Sequence, residues 1–95
     1  MKNLLIGSRA LAYWNQELKI KSTTDYDVIS ISPIKGTEWH DPKCLDNYLI
    51  EQFASDSFTY INGHKIYVVS MKGLAIIKRS HLWRQLKFQK QNVIY

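Results

Sequence analysis

The stretch Ile6–Ser30, IGSRALAYWNQELKIKSTTDYDVIS, decides how this chain is read. The apolar run before it, Lys2–Ile6 (KNLLI), has the look of a short buried strand that Gly7 ends. Ser8 is a good helix N-cap, and Arg9–Leu18 follows with helical spacing that puts Leu11, Trp14 and Leu18 on one side. Lys19–Thr24 (KIKSTT) is polar and loop-like. A second strand then lies within DYDVISIS, residues 25–32, defined by Tyr26, Val28 and Ile31. On it Asp25 and Asp27 face away from Tyr26 and Val28.

Working outward, Ser32–His40 (SPIKGTEWH) reads as a loop. Asp41-Pro42 predicts a helix start, with the helix running to about Ala54 on an apolar stripe of Leu45, Tyr48, Leu49, Gln52 and Phe53. Asn62-Gly63 between Phe58–Ile61 and Lys65–Val69 is a strong hairpin signal. Ser70 can cap a last helix from Met71 to about Trp83, in which Gly73 is a mild weakness. The predicted order is β-α-β-α-β-β-α, an α/β (α+β) fold with helices packed against a small mixed sheet. Residues 1–95 form one domain, without repeats or linkers.

Composition narrows the function classes. A hydrophobic fraction of 45% and an aromatic fraction of 13% fit a folded chain. Cys44 is the single cysteine, which excludes an internal disulfide framework and disfavours a zinc site. Lys2–Ile6 is too short for a signal-peptide core, and no apolar run approaches the roughly 20 residues that cross a bilayer. The expectation is a soluble, cytoplasmic protein that does not engage membrane. The net charge of +5 is unevenly spread. Residues 1–56 hold all eight acids and sum to −2, whereas residues 57–95 hold seven Lys or Arg, no acid, and sum to +7. A basic half of this kind suits phosphate groups, nucleic acid or an acidic protein, and equally a solvated face.

The Gly-Ser pair and the two aspartates fit together chemically. Backbone N–H groups at a helix N-terminus, with a Ser hydroxyl, make a phosphate site, and glycine lets the backbone approach it closely. Carboxylates two residues apart on a strand share a face and can share a divalent cation. Such parts side by side hold a nucleoside triphosphate.

This combination, Ile6-Gly7-Ser8, a helix, then Asp25-Tyr26-Asp27-Val28-Ile29, resembles the nucleotidyltransferase superfamily whose best-known member is DNA polymerase β. Ile66–His81 (IYVVSMKGLAIIKRSH) also looks like the strand, Ser-capped helix and KRSH segment of small, often phage-encoded members. The resemblance implies transfer of a nucleoside monophosphate from a triphosphate to a hydroxyl. It makes Asp25 and Asp27 the catalytic, metal-holding pair for Mg²⁺ (or Mn²⁺), and it gives nucleotide binding to Gly7, Ser8, Arg9 and Lys78. A third carboxylate is expected on a later strand, matched here to Phe58–Ile61, which carries none; Asp56, just before it, is the nearby acid. The alternative is a degenerate domain that keeps this fold as a binding module. Its basic half would engage nucleic acid or an acidic protein through Arg79, Arg84 and Lys87. Trp39 and Trp83 look available for base stacking, and the aromatic content of so short a chain raises self-association as an expectation.

Overall fold

The computed structural model describes residues 2–43 and 50–79. It is a small mixed α+β fold. β1 (Asn3–Ile6) leads directly into α1 (Gly7–Trp14), and β2 is Asp27–Ile29. β3 (Glu38–His40) follows, then a 3-10 turn at Ile50–Phe53, β4 (Ala54–Ile61) and β5 (His64–Val69). A second helix, α2, covers 71–79. The five strands form one sheet in the order β3-β2-β1-β5-β4. β1 is central: it runs antiparallel to β2 and parallel to β5. β2 and β3 are parallel, while β4 and β5 are the antiparallel hairpin. No described helix is long and apolar enough to cross a membrane.

Apolar side chains on both faces of the central strands make the core. Leu4, Leu5, Ile6, Val28, Ile29, Ile66, Val68 and Val69 are buried, joined by Ala10 from α1, Ile77 from α2 and Ile34 from the β2–β3 loop. Consecutive buried residues in β1 mark a strand covered on both sides, as a central strand must be. The Trp14 indole N–H donates to the Val69 carbonyl at 2.7 Å, which fixes the end of α1 to β5.

Several expectations hold at residue level. Asn62 and Gly63 both take positive φ (53° and 83°), the two-residue turn that the strand twist favours. Ser70 caps α2, its Oγ accepting from the Gly73 N–H at 3.2 Å. Gly73 is a requirement rather than a weakness, because a Cβ there would lie 2.6 Å from Val69 Cγ2 and 2.8 Å from Phe53 Cβ. Helix and sheet approach closely at that glycine.

The element order differs from the predicted one. Glu38–His40, expected in a loop, is a strand paired with Asp27–Ile29. Asp25 lies outside β2, which starts at Asp27. The Asp41 carboxylate accepts from the Lys43 N–H at 2.9 Å in a local turn, and residues 44–49 of the helix expected after it lie outside the described residues. Ile50–Phe53 is 3-10 and Ala54 already opens β4, so the expected helix to Ala54 does not extend that far; its middle lies outside the described residues. α1 ends at Trp14, four residues before Leu18. β4 begins four residues before Phe58, with a register irregularity between Ala54 and Phe58. The α2 helix is described to Arg79 only, so Trp83, Arg84 and Lys87 lie outside the described residues.

Candidate functional site

The site begins where β1 turns into α1. Gly7 takes φ +71°, which lets the chain pass from strand to helix without a linker. No side chain caps α1, whose N-cap position is Ile6; Ser8, expected as the cap, instead lines a cleft. The first N–H groups of a helix lack intrahelical partners, and here they open beside the β2 carboxylate. The register pairs Ile6 with Asp27, bringing Asp27 alongside Gly7. A Cβ built on Gly7 would collide with the Asp27 carboxylate oxygen and lie 3.2 Å from its Cγ. Only glycine fits at that position.

β3 completes the cluster. Asp27 opposes Glu38 and Ile29 opposes His40 across β2 and β3, so Asp27, Glu38 and His40 share one face of the sheet. His40 Nε2 is 3.1 Å from Asp27 Oδ1. One ligating atom from each of the three residues falls within 4.8 Å of the others, a grouping compact enough for a metal ion. Glu38 is raised above its ordinary value, first by a hydrogen bond to Asp27 and the Asp27 charge, then by partial desolvation and the Asp25 charge, with His40 opposing. Negative charge is concentrated where Asp25, Asp27 and Glu38 converge, and a proton on Glu38 relieves it.

A cleft of about 480 Å³ opens beside this cluster and is lined by two of its members, Asp27 and His40. Gly7, Ser8, Asp27 and His40 form its polar side, and Lys78 reaches it from α2. Leu11, Met71, Leu74 and Ile77 form an apolar wall between the helices. The cleft therefore offers amides, the Asp27 carboxylate, an imidazole and a cation at one side and an apolar surface at the other.

Of the residues expected at the site, Gly7, Ser8, Asp27 and Lys78 line this one cleft. Asp25 is exposed and does not line the cleft, and it acts on Glu38 through charge. Arg9 is engaged elsewhere. Its Nε donates to the Thr24 carbonyl at 3.1 Å and its Nη2 to the Ser22 and Thr24 carbonyls, and its guanidinium lies 4.3 Å from the Tyr26 ring centroid. It anchors the loop before β2. Arg79 is exposed on α2 and does not line the cleft. Asp56 sits on β4, the far edge strand, with β5 and β1 between it and β2. Three inter-strand steps place it about 14 Å from Asp27 in the sheet direction. Trp39 pairs with Val28 on the other face, its indole N–H donating to the Ser30 carbonyl at 2.7 Å. Glu38 and His40 are the residues that sequence reasoning missed. The available signal was the alternation Glu-Trp-His, two polar groups flanking one strand-forming aromatic.

Comparison with protein-family models, with curated proteins and with solved structures found no match.

Proposed function

We propose that the protein is a metal-dependent nucleotidyltransferase of the polymerase-β type, transferring a nucleoside monophosphate from a triphosphate to a hydroxyl. The observation that carries this reading is the convergence of Gly7, Ser8, Asp27 and Lys78 on one cleft, with Gly7 packed against the Asp27 carboxylate. The donor set fits a divalent ion: Asp27, Glu38 and His40 present two carboxylates and an imidazole within 4.8 Å, in a place where negative charge is already in excess. An imidazole beside carboxylates suits Mn²⁺ as well as or better than Mg²⁺. When bound, such an ion neutralises charge on the triphosphate. The chain itself supplies the rest. The amides at Gly7 and Ser8 and the Ser8 hydroxyl take phosphate oxygens, Lys78 offsets their charge, and the wall of Leu11, Leu74 and Ile77 accepts an apolar base face. Glu38 takes the place of the third carboxylate sought on the later strand.

A thermal-shift panel tests this, with the ribonucleoside triphosphates plus Mg²⁺ or Mn²⁺ and Asp27→Ala alongside. A metal-dependent rise in Tm with a triphosphate, absent from Asp27→Ala, supports the reading. No rise with any nucleotide overturns it.

A second reading, a binding module that keeps the fold, is favoured by one observation. Arg9, the cation nearest the Gly-Ser turn in sequence, is committed to loop carbonyls and not to the cleft. In that case the partner is nucleic acid or an acidic protein, and Asp27→Ala leaves its binding unchanged.

A further inference from the structure

Away from the cleft, the β4–β5 hairpin carries a second feature. Phe58 pairs with Tyr67 and Tyr60 with Lys65, so all four side chains share one sheet face. Phe58 and Tyr60 are 46% and 63% exposed. Their ring centroids are 5.8 Å apart, and those of Phe58 and Tyr67 are 6.1 Å apart. Two ammonium groups cover these rings: Lys65 Nζ lies 4.1 Å from the Phe58 centroid and 5.1 Å from that of Tyr67, and Lys2 Nζ lies 4.8 Å from that of Tyr67. Neither ammonium is ion-paired with a described carboxylate. Glu51 meets Lys2 through the backbone amide, at 3.0 Å.

We propose that this patch is a stacking platform for single-stranded nucleic acid. Exposed aromatic rings on a sheet accept unstacked bases of any sequence, and cations beside them take the phosphates. Phe58 meets Tyr60 edge to face at 87° and Tyr67 at 62°, so the rings offer faces in different directions to unstacked bases rather than one flat stack. Lys2 and Lys65 sit on weak, exposed cation–π contacts, so moving them to a phosphate costs little. The charge argues against a second copy of this chain as the occupant, because a two-fold contact would bring Lys2 and Lys65 against their own equivalents. The inference does not rest on the transferase reading, since none of these residues lines the cleft.

Fluorescence anisotropy with labelled oligo-dT and oligo-rU, without nucleotide and with chelator present, is the test. The expected result is binding that weakens steeply as salt rises. Phe58→Ala/Tyr60→Ala weakens it about tenfold or more, whereas Tyr60→Phe stays near wild type because the ring remains. Circular dichroism checks that the variants fold, and both positions are exposed. Four outcomes overturn the proposal: no binding by the wild type, equal binding of a duplex of the same sequence, undiminished binding by a folded double alanine variant, or a concentration-dependent dimer that the double variant abolishes.

Discussion

Gly7 and Asp27 are in such close contact that the backbone of one occupies the space a side chain would need beside the carboxylate of the other. Gly7→Ala therefore suffers twice. Its φ of +71° costs an L-residue about 1–2 kcal/mol, and the new methyl meets the Asp27 carboxylate. Asp27→Ala removes the carboxylate and leaves only the Cβ, 3.3 Å from the built position. Gly7→Ala should thus be less destabilising in the Asp27→Ala background than in the wild type. Denaturant unfolding of the four proteins in a double-mutant cycle measures this; strictly additive effects would contradict the packing described.

Glu38 makes stability depend on pH in a definite direction. Its pKa is raised above the ordinary 4.5 by Asp27 and then by Asp25, so the folded chain holds this proton more tightly than the unfolded chain does. The contribution is therefore full in acid, below about 4.5, and is lost as pH rises through the raised value. Glu38→Gln removes the like charge permanently. It should have a higher Tm than wild type at neutral pH, with the difference shrinking in acid. A Glu38→Gln protein less stable than wild type at pH 7 in chelator would mean the carboxylates do not repel.

A divalent ion should relieve the same repulsion. Mn²⁺ at a hundred times its dissociation constant would stabilise the fold by about 2.7 kcal/mol. Asp27→Asn should abolish the rise in Tm and His40→Ala should reduce it, while Asp56→Asn, on the far edge strand, should leave it intact. Loss of the rise in Asp56→Asn would place the ion elsewhere.

Arg9 should behave as a structural residue. Three hydrogen bonds to the Ser22 and Thr24 carbonyls hold the approach to β2. Hydrogen bonds from charged groups contribute about 1.5–3 kcal/mol each when well made, and part exposure here reduces that. Arg9→Ala should destabilise by about 1–2 kcal/mol and speed amide exchange around residues 22–26. Arg9→Lys, lacking the planar fork, should rescue little of it. Normal stability with weakened triphosphate binding would instead assign Arg9 to the phosphates.

What the sequence made legible were positions where one residue type is physically compelled. Asn62-Gly63 turned as expected because few other pairs tolerate two positive φ angles. Gly7 and Ser70 marked a strand-to-helix turn and a cap. β3 escaped because three residues are too few for a period-2 pattern, and Pro33 and Gly36 just before it signal a loop. With it went Glu38 and His40. Asp25 and Asp27 looked alike in sequence, and the strand boundary separates the one that lines the cleft from the one that does not. For Arg9, its place after Gly-Ser suggested phosphate, whereas its fork geometry found backbone carbonyls.

The central place of β1 has a consequence for how the molecule assembles. Asn3 and Leu4 lie beside Ile66 and Tyr67, so β1 cannot be flanked on both sides until β5, some sixty residues later, has left the ribosome. Contacts so distant in sequence are slow to form, because a long loop must close before they reward it. The Gly7–Asp27 contact, from the antiparallel β1–β2 pair, can form early. The cleft takes its wall from Met71, Leu74 and Ile77 of α2, so it is complete only once the long-range β1–β5 pairing has brought that helix alongside α1.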